Sequence, residues 1–182
     1  MMKVFINPGH DLKYDSGAVN PNSGLRECDV AADIGQRVKG YLESAGCEVM
    51  LIQSDSLTGE HPGLPNVCGE ANAWEANILV SIHCNAANTE ASGTEIEVYD
   101  NNGGKACQLA DCIRLQIINS LGTIDRGNKE RSGLAVLRCT DMPAVLVETA
   151  FIDNDADAEL LTGRVDDFAR AIARGITDYE QG

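Results

Sequence analysis

The sequence contains few aromatic residues and few basic ones. Aromatic side chains make up 4% of the 182 residues, and 14 Lys and Arg are present beside 28 Asp and Glu, for a formal net charge of −14. Because phosphate backbones require clustered Lys and Arg, the charge argues against a nucleic-acid partner. The shortage of aromatic rings also argues against a stacking platform for bases or sugars.

Long apolar runs and cysteine pairs are also missing. No apolar run approaches the roughly 18 residues that span a bilayer, so we expect no membrane insertion. The first residues, MMKVFINPGH, lack a basic stretch followed by an apolar one, so we predict no signal peptide. None of the seven cysteines forms a CxxC pair, which argues against a zinc ribbon or a thioredoxin motif. We expect reduced, mostly buried thiols.

Short apolar segments alternate with helical patterns along the chain. We predict helices at residues 26–45, 66–76, 104–121 and 154–179, and strands at 3–7, 47–52, 76–83, 94–100, 134–139 and 143–151. This order predicts an α/β fold, a single open, twisted, mostly parallel sheet of about six strands with helices on both faces. The strand at 94–100 alternates apolar and polar residues, which predicts a half-exposed strand. Without repeats or linkers, residues 1–182 are expected to form one domain, with its core at about 3–179.

Three of the predicted strands end in residues that bind metals or protons. His10 follows the first strand, His83 ends the third, and Glu148 follows the apolar run AVLV of the last. Ligands of open parallel sheets bind at the carboxyl ends of the strands. A carboxylate after four apolar residues is costly to bury unless a cation lies close to it. Each residue alone has an ordinary structural explanation, but together they predict a metal site.

Two imidazoles need at least one further protein ligand to form a catalytic zinc site. Glu27 and Asp29, in the segment GLRECDV, are both candidates, and both are also explained as acidic residues that favour the start of a helix. Cys84 is another candidate, but alternation along a strand directs its side chain to the face opposite His83. His61, in the loop GEHPG, has no strand to position it and is left out of the site.

Four segments in order resemble one known family. INPGHD, GLRECDV, SIHCNA and MPAVLVETAFIDN look like motifs of the zinc-dependent N-acetylmuramoyl-L-alanine amidases of the Amidase_3 group, and the likeness extends from about residue 3 to 178. The resemblance implies a single amidase catalytic domain with one Zn²⁺ held by His10, Glu27 and His83. It also implies that Glu148 is the catalytic carboxylate and that Asn85 binds substrate.

The substrate implied by the resemblance is peptidoglycan, cleaved at the amide between N-acetylmuramic acid and L-alanine of the stem peptide. We therefore expect a bacteriolytic monomer that acts on the bacterial cell wall. It would be either an endolysin held in the cytosol until release or a truncated exported autolysin. The alternatives are another zinc amidohydrolase, such as a deacetylase or peptidase, and a non-catalytic wall-binding module.

Two features of this sequence depart from those relatives. Relatives often carry an arginine in the helix before the mid-chain strand, where this chain reads NVCGEANAWEAN, and a small residue where it has Thr149. Some cell-division relatives also insert a blocking helix after the second zinc histidine. Here only CNAANTEASG separates His83 from Thr94, so we expect an open cleft.

Overall fold

Six strands form one sheet in the computed structural model, which describes all 182 residues, Met1–Gly182. They are β1 (Lys3–Pro8), β2 (Glu48–Leu51), β3 (Ile78–Asn85), β4 (Thr94–Val98), β5 (Asp125–Glu130) and β6 (Ala144–Phe151). The strand order is β2-β1-β3-β6-β4-β5. All neighbours run parallel except β4 and β6, which are antiparallel. The predicted mostly parallel six-stranded sheet is confirmed.

Helices cover both faces of this sheet. They are α1 (Glu27–Ser44), α2 (Val67–Ala73), α3 (Lys105–Leu121), α4 (Ala135–Arg138), α5 (Asp155–Gly163) and α6 (Val165–Gln181). Successive strand residues point to opposite faces. Val80 and Ile82 of β3 therefore join the larger apolar cluster with α1, α3 and α6. Leu79 joins the smaller cluster with α2 and α4, and this is the face that carries the site.

The first long helix shows how sequence pattern becomes packing. Val30, Ile34, Val38 and Leu42 recur at four-residue steps, so they form one stripe of α1, and all four are buried against the sheet. The helix ends before Gly46, which has a φ of 92° that L side chains rarely adopt. Because β1 and β3 also contact α1, the first residue of this helix lies beside the carboxyl ends of both strands.

One predicted strand is wrong, one strand of the sheet was not predicted, and one predicted helix is split. Residues 134–139 do not form a strand, because Ala135–Arg138 is helix α4. The sixth strand is instead β5, whose sequence DRGNKE has no apolar alternation because it lies at the edge of the sheet. The predicted helix at 154–179 is divided at Arg164 into α5 and α6.

The prediction that β4 is half exposed is also wrong, since all five of its residues are buried. Its two glutamates alternate with apolar residues, yet Glu95 is only 4% exposed and Glu97 only 8%. Each is paired with an arginine. Arg126 Nε lies 2.8 Å from Glu95 Oε2, and Arg131 Nε lies 3.2 Å from Glu97 Oε1. The alternation of polar and apolar residues in β4 therefore reflects buried glutamates paired with arginines, not a solvent-exposed face.

The remaining predictions at the level of the fold concern thiols and membrane spans. All seven cysteines are free thiols, and five of them are buried, as expected. Cys84 is in the large apolar cluster, on the face opposite His83. No helix combines the length and the hydropathy that a membrane crossing requires.

Candidate metal centre and active site

Three of the predicted site residues meet at the carboxyl edge of the sheet. His10 lies just beyond β1, His83 is in β3, and Glu27 is the first residue of α1. Each offers one ligand atom, and these atoms all lie within 4.8 Å of one another. His10 has a φ of 63°, so a local left-handed turn directs its ring back to the sheet edge.

The carboxylate of Glu27 lies between the two imidazoles. Its Oε2 is 3.0 Å from His10 Nε2, and its Oε1 is 2.9 Å from His83 Nδ1. The two rings are edge to face, with centroids 5.0 Å apart. The backbone N–H groups of Ala18 and Cys84 also donate to this carboxylate, at 2.9 and 3.0 Å. Side chains and backbone together fix both carboxylate oxygens.

These contacts determine the charges of the cluster. Burial by itself would raise the pKa of the Glu27 carboxyl, but hydrogen bonds from His10, His83 and the backbone hold that pKa well below its ordinary value. Burial likewise opposes protonation of His10, yet hydrogen bonds to Glu27 and Asp15 raise its pKa to about 9. Without a metal, therefore, a proton on His10 is the cation that balances Glu27.

Asp15 supports the cluster and was not predicted from the sequence. Its Oδ2 lies 2.6 Å from Nδ1 of His10, the ring nitrogen that faces away from Glu27. A carboxylate in this position fixes the tautomer and the orientation of a ligand imidazole. The segment HDLKYDSG contains four acidic or hydroxyl side chains near the histidine, and no sequence pattern distinguishes Asp15 among them.

Two glycines allow the cluster to close. A Cβ atom at Gly9 would lie 2.3 Å from Cε1 of His83. A Cβ atom at Gly17, which has a φ of +64°, would lie 2.5 Å from Cδ2 of His10 and 2.6 Å from Oε2 of Glu27. Any larger residue at either position would displace a candidate ligand.

Glu148 lies beside the cluster on the same face of the sheet. In the strand register it is opposite His83 on β3 and opposite Glu95 on β4. Its Oε2 is buried and has no hydrogen-bond partner. Burial, and then the charges of Glu27, Glu97 and Glu95, raise the pKa of the Glu148 carboxyl well above its ordinary value. This carboxyl therefore holds a proton at pH values where an ordinary glutamate has lost it.

The other residues considered as ligands or as substrate-binding residues lie outside the cluster. Asp29 is half exposed and pairs with Arg26 at 2.7 Å. His61 is in the loop after β2, where its side chain is 56% exposed. The side-chain amide N–H of Asn85 donates to Glu95 Oε1 at 2.9 Å, so Asn85 helps to hold Glu95 next to Glu148. Its expected contact with substrate stays a prediction.

A cleft of about 180 Å³ leads to the two histidines. Ser81 and Leu146 of the sheet line one wall, and Leu134 and Val136 at α4 line the other. No helix lies between β3 and β4, so the chain has no blocking element at that position, as the short loop predicts.

Comparison with known proteins identifies the family. The family described as N-acetylmuramoyl-L-alanine amidase matches residues 4–178. The chain belongs to this family. The amidase AmiC2 of Nostoc punctiforme, a solved structure, is 33% identical with a TM-score of 0.87, and the match covers 100% of this chain and 98% of that one.

Curated amidases are also similar in sequence. N-acetylmuramoyl-L-alanine amidase LytC of Bacillus subtilis is 35% identical over 97% of this amidase-family chain, which spans 35% of LytC. The endolysin of Bacillus phage SPP1 is 35% identical over 94% of the chain and is matched over 62% of its own length. The predicted family is confirmed, and its members include both a bacterial amidase and a phage endolysin.

Proposed function

We propose that this chain hydrolyses the amide between N-acetylmuramic acid and L-alanine in peptidoglycan, with one Zn²⁺ held by His10, Glu27 and His83. The observation that carries the proposal is the meeting of these three donors, on separate elements, next to the buried carboxyl of Glu148. Family membership and the names of the relatives support the reaction and the substrate. Because the chain spans about a third of LytC, the proposal concerns the activity of this chain alone.

The donor set supports zinc as the metal. Two imidazole nitrogens and one carboxylate oxygen form a ligand set found in catalytic zinc sites, which keep a further position open. Magnesium and calcium prefer sites made of oxygen ligands alone. In this chain the two carboxylate oxygens of Glu27 already face the two imidazoles. Oε2 faces Nε2 of His10, and Oε1 faces Nδ1 of His83. A divalent ion there would replace the proton that His10 otherwise carries.

The residues around the proposed zinc site have different roles in the reaction. When bound, zinc supplies Lewis acidity to the attacking water and to the amide carbonyl. Glu148 accepts the proton that the water loses and then donates it to the departing nitrogen of L-alanine. The raised pKa of Glu148 suits this second step, because the group must be able to hold a proton at neutral pH. Asp15 keeps His10 in the tautomer that a ligand needs.

The proposed setting is the bacterial cell wall, because one relative is named an endolysin and another a cell wall amidase. We propose further that the active form is a monomer, since one chain supplies His10, Glu27, His83 and Glu148 without a partner.

Digestion of purified peptidoglycan tests the proposal. The wild-type protein should release new L-alanine amino termini, lose this activity when a chelator removes its metal, and regain it with added Zn²⁺. Acetate release would indicate a deacetylase, and amino termini of other residues would indicate a peptidase. Protein that holds zinc and frees none of these products would be a binding module instead.

A further inference from the structure

Strand β5 and the residue after it carry three cationic side chains on the face of the sheet that holds Glu148. Arg126 donates Nε to Glu95, and Arg131, directly after the strand, donates Nε to Glu97. Lys129 is the register partner of Glu97, so its side chain points to the same face. Asn128, between them, points the other way and donates to Asp111 of α3. We call Arg126, Lys129 and Arg131 the cationic row.

The cationic row has donors that the protein itself does not use. Each arginine hydrogen-bonds through Nε alone, which leaves both terminal nitrogens without an acceptor in the structure. Lys129 forms no ion pair and no side-chain hydrogen bond, although it is half-buried. The side chains of Arg126 and Arg131 are 35% and 54% exposed. A guanidinium that gives Nε to one carboxylate can still bind a second with its terminal nitrogens.

The other end of the active site has the opposite character. Asp15 and Asp55 line the cleft near His10. Asp55 also lines a neighbouring cavity of about 490 Å³, together with Tyr14 and His61. Tyr14 is 63% exposed, and Nζ of Lys13 lies over one face of its ring, 4.7 Å from the centroid. Carboxylates therefore line the cleft near His10, whereas cationic donors without an acceptor lie at the β5 end.

We propose that the cationic row binds the free carboxylate of the stem peptide and so fixes the direction of the substrate. The peptide would run from Glu148 across β4 to β5, and the uncharged glycan would lie on the side of Tyr14. This inference rests on the proposed function, because peptidoglycan is the substrate. The second residue of the stem is D-glutamate linked through its γ-carboxyl, and it therefore keeps its α-carboxylate unless the carboxyl is amidated.

The spacing suits this ligand. Strands β6 and β5 are two strand spacings apart, roughly 10 Å. The two residues from the scissile nitrogen to that carboxylate span roughly 7 Å when extended. Arginine and lysine side chains reaching back from β5 cover the remaining distance.

Two synthetic muramoyl tripeptides that differ only at the second residue, D-isoglutamate or D-isoglutamine, test the proposal. Wild-type protein should cleave the acid about tenfold more efficiently in kcat/KM, chiefly through KM, as expected for one charge-assisted contact. In Lys129→Gln/Arg131→Gln, and to a lesser degree in Lys129→Gln, the preference should shrink. Arg126 is left intact because it holds Glu95, the register neighbour of Glu148. Arg131 holds the buried Glu97, so Lys129→Gln, which breaks no ion pair, separates loss of the row from loss of that pair.

A matched control removes two positive charges from the opposite helical layer, as Lys39→Gln/Arg170→Gln on α1 and α6. This variant should keep the preference for the acid, which separates local binding from the effect of net charge. Equal cleavage of the two substrates by wild-type protein, or an unchanged preference in Lys129→Gln/Arg131→Gln, would overturn the proposal.

Titration with the free tripeptide L-Ala-γ-D-Glu-L-Lys, followed by NMR, tests the cationic row without hydrolysis. Binding that shifts signals of β5 and weakens in Lys129→Gln/Arg131→Gln supports the row even if neither muramoyl substrate is cleaved. That combination would reject the proposed amidase activity alone. Cleavage of both substrates without tripeptide binding at β5 would reject the cationic row alone.

Discussion

Glu27 and Glu148 are two buried glutamates at the same edge of one sheet, but their surroundings are opposite. Glu27 accepts hydrogen bonds from two imidazoles and two backbone N–H groups. Glu148 has an oxygen with no partner and faces the carboxylates of Glu95 and Glu97. Burial raises the pKa of both, yet hydrogen bonds lower the pKa of Glu27 overall, whereas neighbouring negative charges raise that of Glu148 further.

The difference shows how the same residue type can suit the two proposed roles. A carboxylate surrounded by donors stays ionised and can hold a cation, whereas one surrounded by like charges has a raised pKa and binds a proton more readily. Four predictions test this division between Glu27 and Glu148, ordered from the largest expected effect to the smallest.

The first prediction removes the proton-transfer group and leaves the metal ligands in place. Glu148→Gln keeps the size of the side chain, so hydrolysis should fall by about 10²–10⁴-fold while zinc content is retained. Release of L-alanine termini and metal analysis on the same sample measure the two quantities. Loss of zinc together with activity would make Glu148 a metal ligand, and full activity would remove it from the mechanism.

The second prediction removes the ionised carboxylate. Glu27→Gln should weaken zinc binding by more than the roughly 10–100-fold that loss of a supporting group costs, because it removes a ligand itself. Asp29→Asn is the matched control, since Asp29 is in the same helical turn but pairs with Arg26. Competition with a chromophoric chelator measures both affinities. Equal affinity in the two variants would place the third ligand elsewhere.

The third prediction concerns the zinc-free protein and pH. Because the pKa of His10 is raised from 6.5 to about 9, its protonated form stabilises the fold fully below pH 6.5, and this contribution disappears as pH rises through 9. The free energy of unfolding should therefore fall across that range, by at most about 3 kcal/mol. Urea denaturation at a series of pH values gives the dependence.

Two samples serve as controls for this dependence. His10→Asn should show a smaller fall, because only the contribution of His10 is removed, and zinc-loaded protein should also show a smaller fall, because the metal occupies the place of the proton. Constant or increasing stability of the zinc-free wild type between pH 6.5 and 9 would contradict the charge assignment of the cluster.

The fourth prediction separates backbone strain from damage to the cluster. Gly17→Ala and Gly24→Ala both place a side chain at a positive φ, so each should cost about 1–2 kcal/mol of stability. Only the Cβ atom at position 17 would collide with His10 and Glu27, whereas at position 24 it would meet nothing within 4 Å. Zinc affinity should therefore fall in Gly17→Ala alone. Thermal unfolding and chelator competition report the two effects.

The sequence predicted which residues meet at the candidate site better than it predicted the edge of the sheet. His10, His83 and Glu148 are recognisable because each follows an apolar run, so a change from β-forming to ligand residues marks the end of a buried strand. Edge strand β5 gives no such signal, because its sequence DRGNKE contains no apolar side chain that would mark a buried face. The segment LAVLRC was mistaken for a strand because an apolar run this short fits a strand and one helical turn equally well.

Two further features depend on contacts between distant segments. From the residues alone, Glu27 and Asp29 are equivalent, because both are acidic and both are in the first turn of α1. Only the position of that turn beside β1 and β3 directs Glu27, and not Asp29, to the histidines. The burial of Glu95 and Glu97 depends in the same way on Arg126 and Arg131, which are more than 30 residues away along the chain.

The position of β6 has a consequence for synthesis on the ribosome. It is the last strand in the chain, yet it lies in the middle of the sheet between β3 and β4. A nascent chain that ends before Ala144 therefore cannot join β4 and β5 to the first three strands, and it also lacks Glu148. The last strand to emerge therefore both closes the sheet and supplies the proposed acid/base group, so a chain that ends before this strand should lack the proposed activity.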